Sequence, residues 1–339
     1  MSAQMVDWDL AVAIGSRVAG EGPQVTREVA EQVVEELRAD ADRSTGLVRE
    51  FTGLVAEERT APVLAVDRPG WIRANADGFA KVLAPLVDKL SEKGAPTGLS
   101  LAVGSRVTGT EVGLLLGFLA SKVLGQFDPF FDPAGRLLLV APNIVHVERE
   151  LGCDPTDFRL WVGLHEETHR VQFTAVPWMR DHLFSQMNAI AETMEPGKLF
   201  DDAFGRLSEA FRGDGSLLEV IGTPEQKEII DRVTGVMSLL EGHADVVMDG
   251  VGPSVIPSVA EIRKKFDRRR KGVGTLDRLL RRLLGLDAKM LQYRNGARFV
   301  RGVVDKVGMH EFNAVWESPA NLPTKAEIAD PSAWVGRVL

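Results

Sequence analysis

Residues 165–169 read His165-Glu166-Glu167-Thr168-His169, and this spacing has a chemical use only on an α-helix. Side chains four apart stand on one helical face, so His165 and His169 can aim two imidazoles at one ion. Glu166 follows about 100° further around. From there its carboxylate can reach a water on that ion without ligating it. This is the H-E-x-x-H pattern of zinc-dependent hydrolases. A chain with 6 His and 48 acidic residues in 339 produces the pattern by chance on the order of once per hundred chains, so the flanks decide. Asp154 is placed to cap a helix and Pro155 suits its first position. Leu160, Trp161, Leu164 and Val171 recur at helical spacing, and Pro177 lies beyond the end. The segment Asp154 to Phe173 is therefore predicted as one amphipathic helix. The competing reading is two surface histidines between solvated glutamates. Trp161 and Leu164 on the histidine flank argue against it.

The surrounding chain is dominated by helical periodicity. Helices are predicted at Asp7–Ala19, Thr26–Asp42, Pro69–Leu90, Thr108–Leu124, Trp178–Met194, Pro224–Met248, Thr275–Leu284 and Ala288–Val307. Gly113 and Gly117 would let Thr108–Leu124 pack closely on a neighbour. Strands are predicted at Arg136–Ala141, after a turn at Asp132–Gly135, and more weakly at Val63–Val66. The tail, with Pro319, Pro323 and Pro331, reads as an irregular strap ending in a short helix. The expected fold class is α+β, predominantly α-helical, with a small sheet. With 45% hydrophobic residues the chain can bury a large core. It is read as a single large domain over 1–339, mostly helical over 1–130 and carrying the metal site over 131–339.

A net charge of −8 argues against general nucleic-acid binding. One cysteine, Cys153, permits no intrachain disulfide and fits a reducing, cytoplasmic setting. The N-terminal residues carry no basic leader. The greasiest run, Val112–Leu124, is too short to span a bilayer.

Two histidines need a third protein ligand for a catalytic zinc. A histidine six residues after His169 would be one route, but Ala175 stands there, and Gln172 stands where that route expects glycine. The other route is a carboxylate from a separate helix. Glu241, in Leu239-Leu240-Glu241-Gly242-His243-Ala244-Asp245, follows an apolar turn that points it inward. Asp245 shares its face and could orient a ligating histidine. His243 is the rival ligand; two residues from Glu241, it cannot easily face the same ion. His146 is a possible substrate-site donor, while His182 and His310 read as structural or solvated. Glu167 and Thr168 read as fillers.

Longer runs carry a family resemblance. They include Val6-Asp7-Trp8, Val123 to Asp128 (V-L-G-Q-F-D), Leu137 to Ile144 (L-L-L-V-A-P-N-I), Phe158 to Phe173 with Ala175-Val176-Pro177-Trp178, the Glu241 segment, Gln292 to Gly296 (Q-Y-R-N-G) and Val315 to Pro319 (V-W-E-S-P). Together they resemble a family of bacterial zincin-like hydrolases of unknown substrate, one branch of which is associated with biosynthesis of the deazaflavin redox cofactor. The resemblance implies a zincin-like metal site within a mostly helical body, and no substrate.

The expected chemistry is Zn2+ held by His165, His169 and Glu241, with Glu166 as general base acting on a peptide or amide substrate. Tyr293, the single tyrosine, is a candidate oxyanion donor, and Arg294 and His243 are others. The strand Leu137–Val140 is either the edge on which an extended substrate pairs or a structural strand beneath the helix. The alternative function is a catalytically silent binding or scaffold protein of the same fold. A di-iron site built on Glu166-x-x-His169 would need a second such half-site, and Ala244 stands three residues after Glu241. The basic stretch 261–284 reads as a solvated face, or as a contact for an anionic partner.

Overall fold

A computed structural model describes residues 5–55, 61–92, 99–131, 134–193, 223–271 and 286–339. The chain divides into two compact units, each assembled from separate stretches. The first is Met1–Glu50, Val55–Ala175 and Val251–Ile262; the second is Phe51–Leu54, Val176–Gly250 and Arg263–Leu339. The architecture is α+β and predominantly helical, as the periodicity predicts.

In the first unit, α1 (Trp8–Ala19) starts at Asp7, whose carboxylate accepts from the Leu10 N–H at 3.0 Å. It lies along α4 (Leu99–Ala120). A Cβ on Gly113 would sit 2.7 Å from the Ala11 carbonyl oxygen, and one on Gly117 2.6 Å from that of Gly15. Only glycine permits so close an approach, which is the role expected of both. The helix begins nine residues before the predicted Thr108. A helix that packs on α1 and α3 and is apolar on most sides offers little amphipathic signal to mark its start.

The sheet has three short strands: β1 (Val63–Val66), β2 (Gly125–Asp128) and β3 (Arg136–Val140), in the order β1-β3-β2. β1 runs parallel to β3 with Val63 opposite Leu137. β2 runs antiparallel, with Gly125 opposite Leu139 and Asp128 opposite Arg136. Leu137 to Val140 are all buried, as expected of a strand covered on both faces. Being central, β3 has no open edge, so the possibility that it pairs with substrate is corrected: it is the structural strand. β2 is the element the sequence did not announce. Gly-Gln-Phe-Asp holds one good strand former, and pairing with β3 makes it a strand.

α3 (Arg68–Glu92) follows β1 and contributes Trp71 and Ile72 to a core with Val12, Leu116, Leu138 and Val140. α5 (Ala141–Leu151) continues directly from β3, with Pro142 in its first turn, and stops at Gly152, which adopts a left-handed φ of 58°. It was not predicted, because β-branched Ile144, Val145 and Val147 are poor helix signals. α2 (Arg27–Thr52) runs ten residues past the predicted Asp42. Its Ser44, Thr45 and Gly46 look like a terminator, but tertiary contacts hold them helical.

The second unit contains α7 (Met179–Thr193), most of α8 (Pro224–Val255), the greater part of α9 (Val259–Lys271), α10 (Leu286–Val307) and a C-terminal series. That series is α11 (Met309–Phe312), two 3-10 turns at Asn313–Trp316 and Pro319–Asn321, α12 (Lys325–Ala329) and α13 (Pro331–Val338). The final helix was expected; the strap before it is more regular than its prolines suggest. Thr324 and Glu327 form a capping box on α12, and Arg337 pairs with Glu327 at 2.6 Å. Where α8 meets α10, a Cβ on Gly296 would overlap the Ser238 carbonyl oxygen, and one on Gly242 would lie 2.5 Å from the Ala297 nitrogen. The predicted helix Thr275–Leu284 lies outside the described residues. Among the described residues no helix is long and apolar enough to cross a membrane.

Candidate metal centre

α6 (Pro155–Thr174) carries the motif and begins as predicted. The Asp154 carboxylate accepts from the Asp157 N–H at 3.0 Å, and Pro155 takes the first position. From Phe158 to Gln172 every residue is buried except His165 and His169, which are partly exposed. Trp161 and Leu164 are in the core, so the reading of a solvated surface helix fails. The two rings stand at 89° with centroids 4.8 Å apart, and their Nε2 atoms are 3.3 Å apart. Two Zn–N bonds of about 2.05 Å meeting at a tetrahedral angle span about 3.3 Å between nitrogens. The pair is thus spaced as one edge of a zinc tetrahedron, and neutral imidazoles are the donors such an ion accepts.

The residues around these rings are held in turn. His169 Nδ1 lies 3.0 Å from Gln172 Oε1. Glu166 is only 7% exposed and rests against β2, where a Cβ on Gly125 would come within 2.5 Å of its Cγ. Glu167 is not the filler the sequence suggested. It is completely buried and pairs with Arg170 at 2.7 Å. It also accepts from the Thr45 hydroxyl on α2 at 2.9 Å. Arg170 donates further to the Ala61 carbonyl at 2.8 Å and to Thr45 at 2.9 Å. Burial pushes the Glu167 carboxyl up from its ordinary value, while Arg170 and Thr45 pull it down. The three groups tie the back of α6 to α2 and to the segment before β1. Thr168 turns its hydroxyl onto the Leu164 carbonyl at 2.7 Å. A charged residue three positions before an arginine is the only sequence trace of this clasp.

A second buried pairing lies further up the same helix. Arg159 donates to Glu148 on α5 at 2.7 Å and also pairs with Glu36 on α2. Nearby Asp40 is raised to about 6, by burial first and by the Glu36 charge second.

Among the second unit's candidates, Glu241 is partly buried on α8. His243 is completely buried, stacked on Phe312 with centroids 5.6 Å apart and edge-on to Trp316 at 5.3 Å. Two positions apart on a helix face about 200° away from each other, so α8 commits the His243 face to an aromatic core and the Glu241 face elsewhere. Asp245, expected to orient a histidine, is instead held by Arg263 and Arg301, each at 3.3 Å. Tyr293 lies in α10, but its side chain and that of Arg294 fall outside the described ones. His146 is half exposed beside Glu150 at 3.8 Å. His182 stands edge-on to Trp178, its pKa lowered by burial and then by Arg232. His310 is exposed beside Glu311. Of the basic stretch, Arg263 is paired with Asp249 at 2.8 Å, and residues 272–285 lie outside the described ones.

A zinc-type histidine pair on a helix, backed by a small mixed sheet, is the arrangement of a zincin. The chain matches the family of zincin-like metallopeptidases over residues 6–335 and belongs to that family. Among solved structures it is similar to a protein of Chloroflexus aurantiacus described as a candidate hydrolase with a novel fold. The two are 30% identical, the alignment covers 98% of each chain, and the TM-score is 0.74. No curated protein matches. Family membership implies a divalent metal, typically zinc, and the donor chemistry of α6 fits it.

Proposed function

We propose that the protein is a zinc-dependent peptidase or amide hydrolase whose metal is held by His165, His169 and Glu241. The observation that carries this reading is the 3.3 Å separation of the two Nε2 atoms, with Glu166 buried on the same helix. Glu241 is preferred to His243 because the His243 ring is occupied by Phe312 and Trp316. A zinc ion bound there supplies Lewis acidity and brings the pKa of a water to about 7. Glu166 accepts the proton of the attacking water and returns it to the leaving amine. Burial against β2 keeps its carboxylate in one place for both transfers. An extended substrate backbone can add to β2, whose side away from β3 carries no other strand among the described residues. At Gly125 no side chain stands between β2 and the Glu166 carboxylate.

The test combines metal analysis with turnover of a fluorogenic peptide library. Zinc should be present at about one per chain and be lost in Glu241→Ala and His169→Ala. Glu166→Gln should keep zinc and lose turnover by about a thousandfold, within the range for a general base. Wild-type protein that binds zinc no better than Glu241→Ala refutes the ligand set.

A further inference from the structure

We propose that Gln172 is a positioning residue that fixes His169 as the Nδ1–H tautomer and thereby turns its Nε2 toward the metal. The inference rests on the ligand reading above and adds a residue to it. A neutral imidazole carries one proton, and the ring nitrogen that binds a metal must be the bare one. In the pair, the Nε2 atoms of His165 and His169 approach each other at 3.3 Å, so Nε2 is the ligating atom of His169. The proton then sits on Nδ1 and needs an acceptor. Gln172 Oε1 stands 3.0 Å from that nitrogen, within hydrogen-bond range.

Three features make this contact a built one. Gln172 is three residues after His169, on the same helical face, so the backbone of α6 sets the distance. Its side chain is completely buried, so water does not compete for the amide. The neighbouring positions are fixed as well, Arg170 by Glu167 and Ala61 and Thr174 by a 2.8 Å bond to the Arg170 carbonyl. The acceptor is also uncharged. An amide oxygen holds the tautomer without adding a negative charge beside the ion, whereas a carboxylate would hold it and donate more electron density.

The experiment uses the full chain and zinc alone as probe. Zinc affinity is measured by competition with a chromophoric chelator for wild type, Gln172→Met and Gln172→Glu. Met keeps the volume and removes the acceptor; Glu keeps both shape and acceptor. The expected result is a 10- to 100-fold loss of zinc affinity in Gln172→Met and an affinity within about threefold of wild type, or tighter, in Gln172→Glu. Nitrogen-15 imidazole spectra of the zinc-free proteins give a second readout. His169 should be the Nδ1–H tautomer in wild type and a mixture in Gln172→Met. Equal zinc affinity in wild type and Gln172→Met overturns the proposal. So does an equal loss in both variants, which would mark a purely structural residue. Wild type that fails to bind zinc would sink the ligand reading, and the tautomer spectra would still decide the role of Gln172. A Met variant that does not fold leaves Gln172→Glu to decide, since a mixed tautomer there contradicts the assignment.

Discussion

Gly125→Ala is the sharpest perturbation of the proposed chemistry, because it adds one methyl group at the base and touches neither histidine. The new Cβ would lie 2.5 Å from Glu166 Cγ, 2.6 Å from Cδ and 2.8 Å from Oε1. Ordinary contact begins at 3.4 Å, so the carboxylate must retreat by about 1 Å. The backbone of Gly125 is not in the left-handed region, so alanine fits the strand. The gain from its lower unfolded-state entropy, about 0.5 kcal/mol, is offset by the displacement of the Glu166 side chain, so stability should change little. A catalytic group displaced by about 1 Å can cost on the order of a hundredfold in rate, or about 2.7 kcal/mol of barrier. The assay is turnover of the best peptide from the library screen, alongside zinc affinity and a urea melt. Turnover should fall by about two decades with zinc affinity unchanged. In the Glu166→Gln background the same substitution should do almost nothing, because the group it displaces is already disabled. Turnover within twofold of wild type refutes the placement of Glu166 as the base.

Three further outcomes follow from the packing. Arg170→Met strands Glu167 as a buried carboxylate and should cost about 3–5 kcal/mol in urea denaturation, whereas Glu167→Met combined with Arg170→Met should recover most of it; a double variant no better than the single one contradicts the clasp. Asp40 binds its proton more tightly in the folded chain, since its pKa rises from 3.8 to about 6. The stability lent by that proton is complete below pH 4 and gone above pH 6. Asp40→Asn should therefore match wild type at pH 4 and exceed it at pH 7.5 by about 1 kcal/mol, the full shift being discounted for solvent at a half-exposed site; equal melts at both pH values count against it. Gly296→Ala drives a methyl group into the Ser238 carbonyl and should destabilise the second unit by about 3 kcal/mol, read as a lowered thermal midpoint.

The motif helix was legible to within a residue at each end because three independent signals agreed: the Asp154 cap, the Pro155 start and the apolar spacing from Leu160 to Val171. β3 was legible as a strand, yet its place in the sheet was not. Strand order depends on β2, and Gly125 to Asp128 hold too little propensity to announce a partner. α5 was hidden by its β-branched residues, and the last ten residues of α2 by a Ser-Thr-Gly run that tertiary contacts override. The histidine pair could be read from spacing alone. The groups around it are harder to read: Gln172 stands at the right spacing, but its burial is not written in the sequence, and Glu167 acts through Arg170 and through a contact with Thr45 on α2 that an isolated sequence does not encode. His243 shows the reverse case. Its position looked like a ligand's, and only the packing of Phe312 and Trp316 reveals an aromatic core residue.

The two borders of β3 close over very different stretches of chain. Asp128 meets Arg136 across a connection of seven residues, and a local hairpin forms on the order of microseconds. Val63 must wait for Leu137, on the order of 70 residues later, with two long helices in between, and loop closure of that length makes the parallel seam slow. A newly made chain therefore exposes an unpaired Val-Leu-Ala-Val segment until the hairpin arrives, the kind of transient edge that chaperones shield.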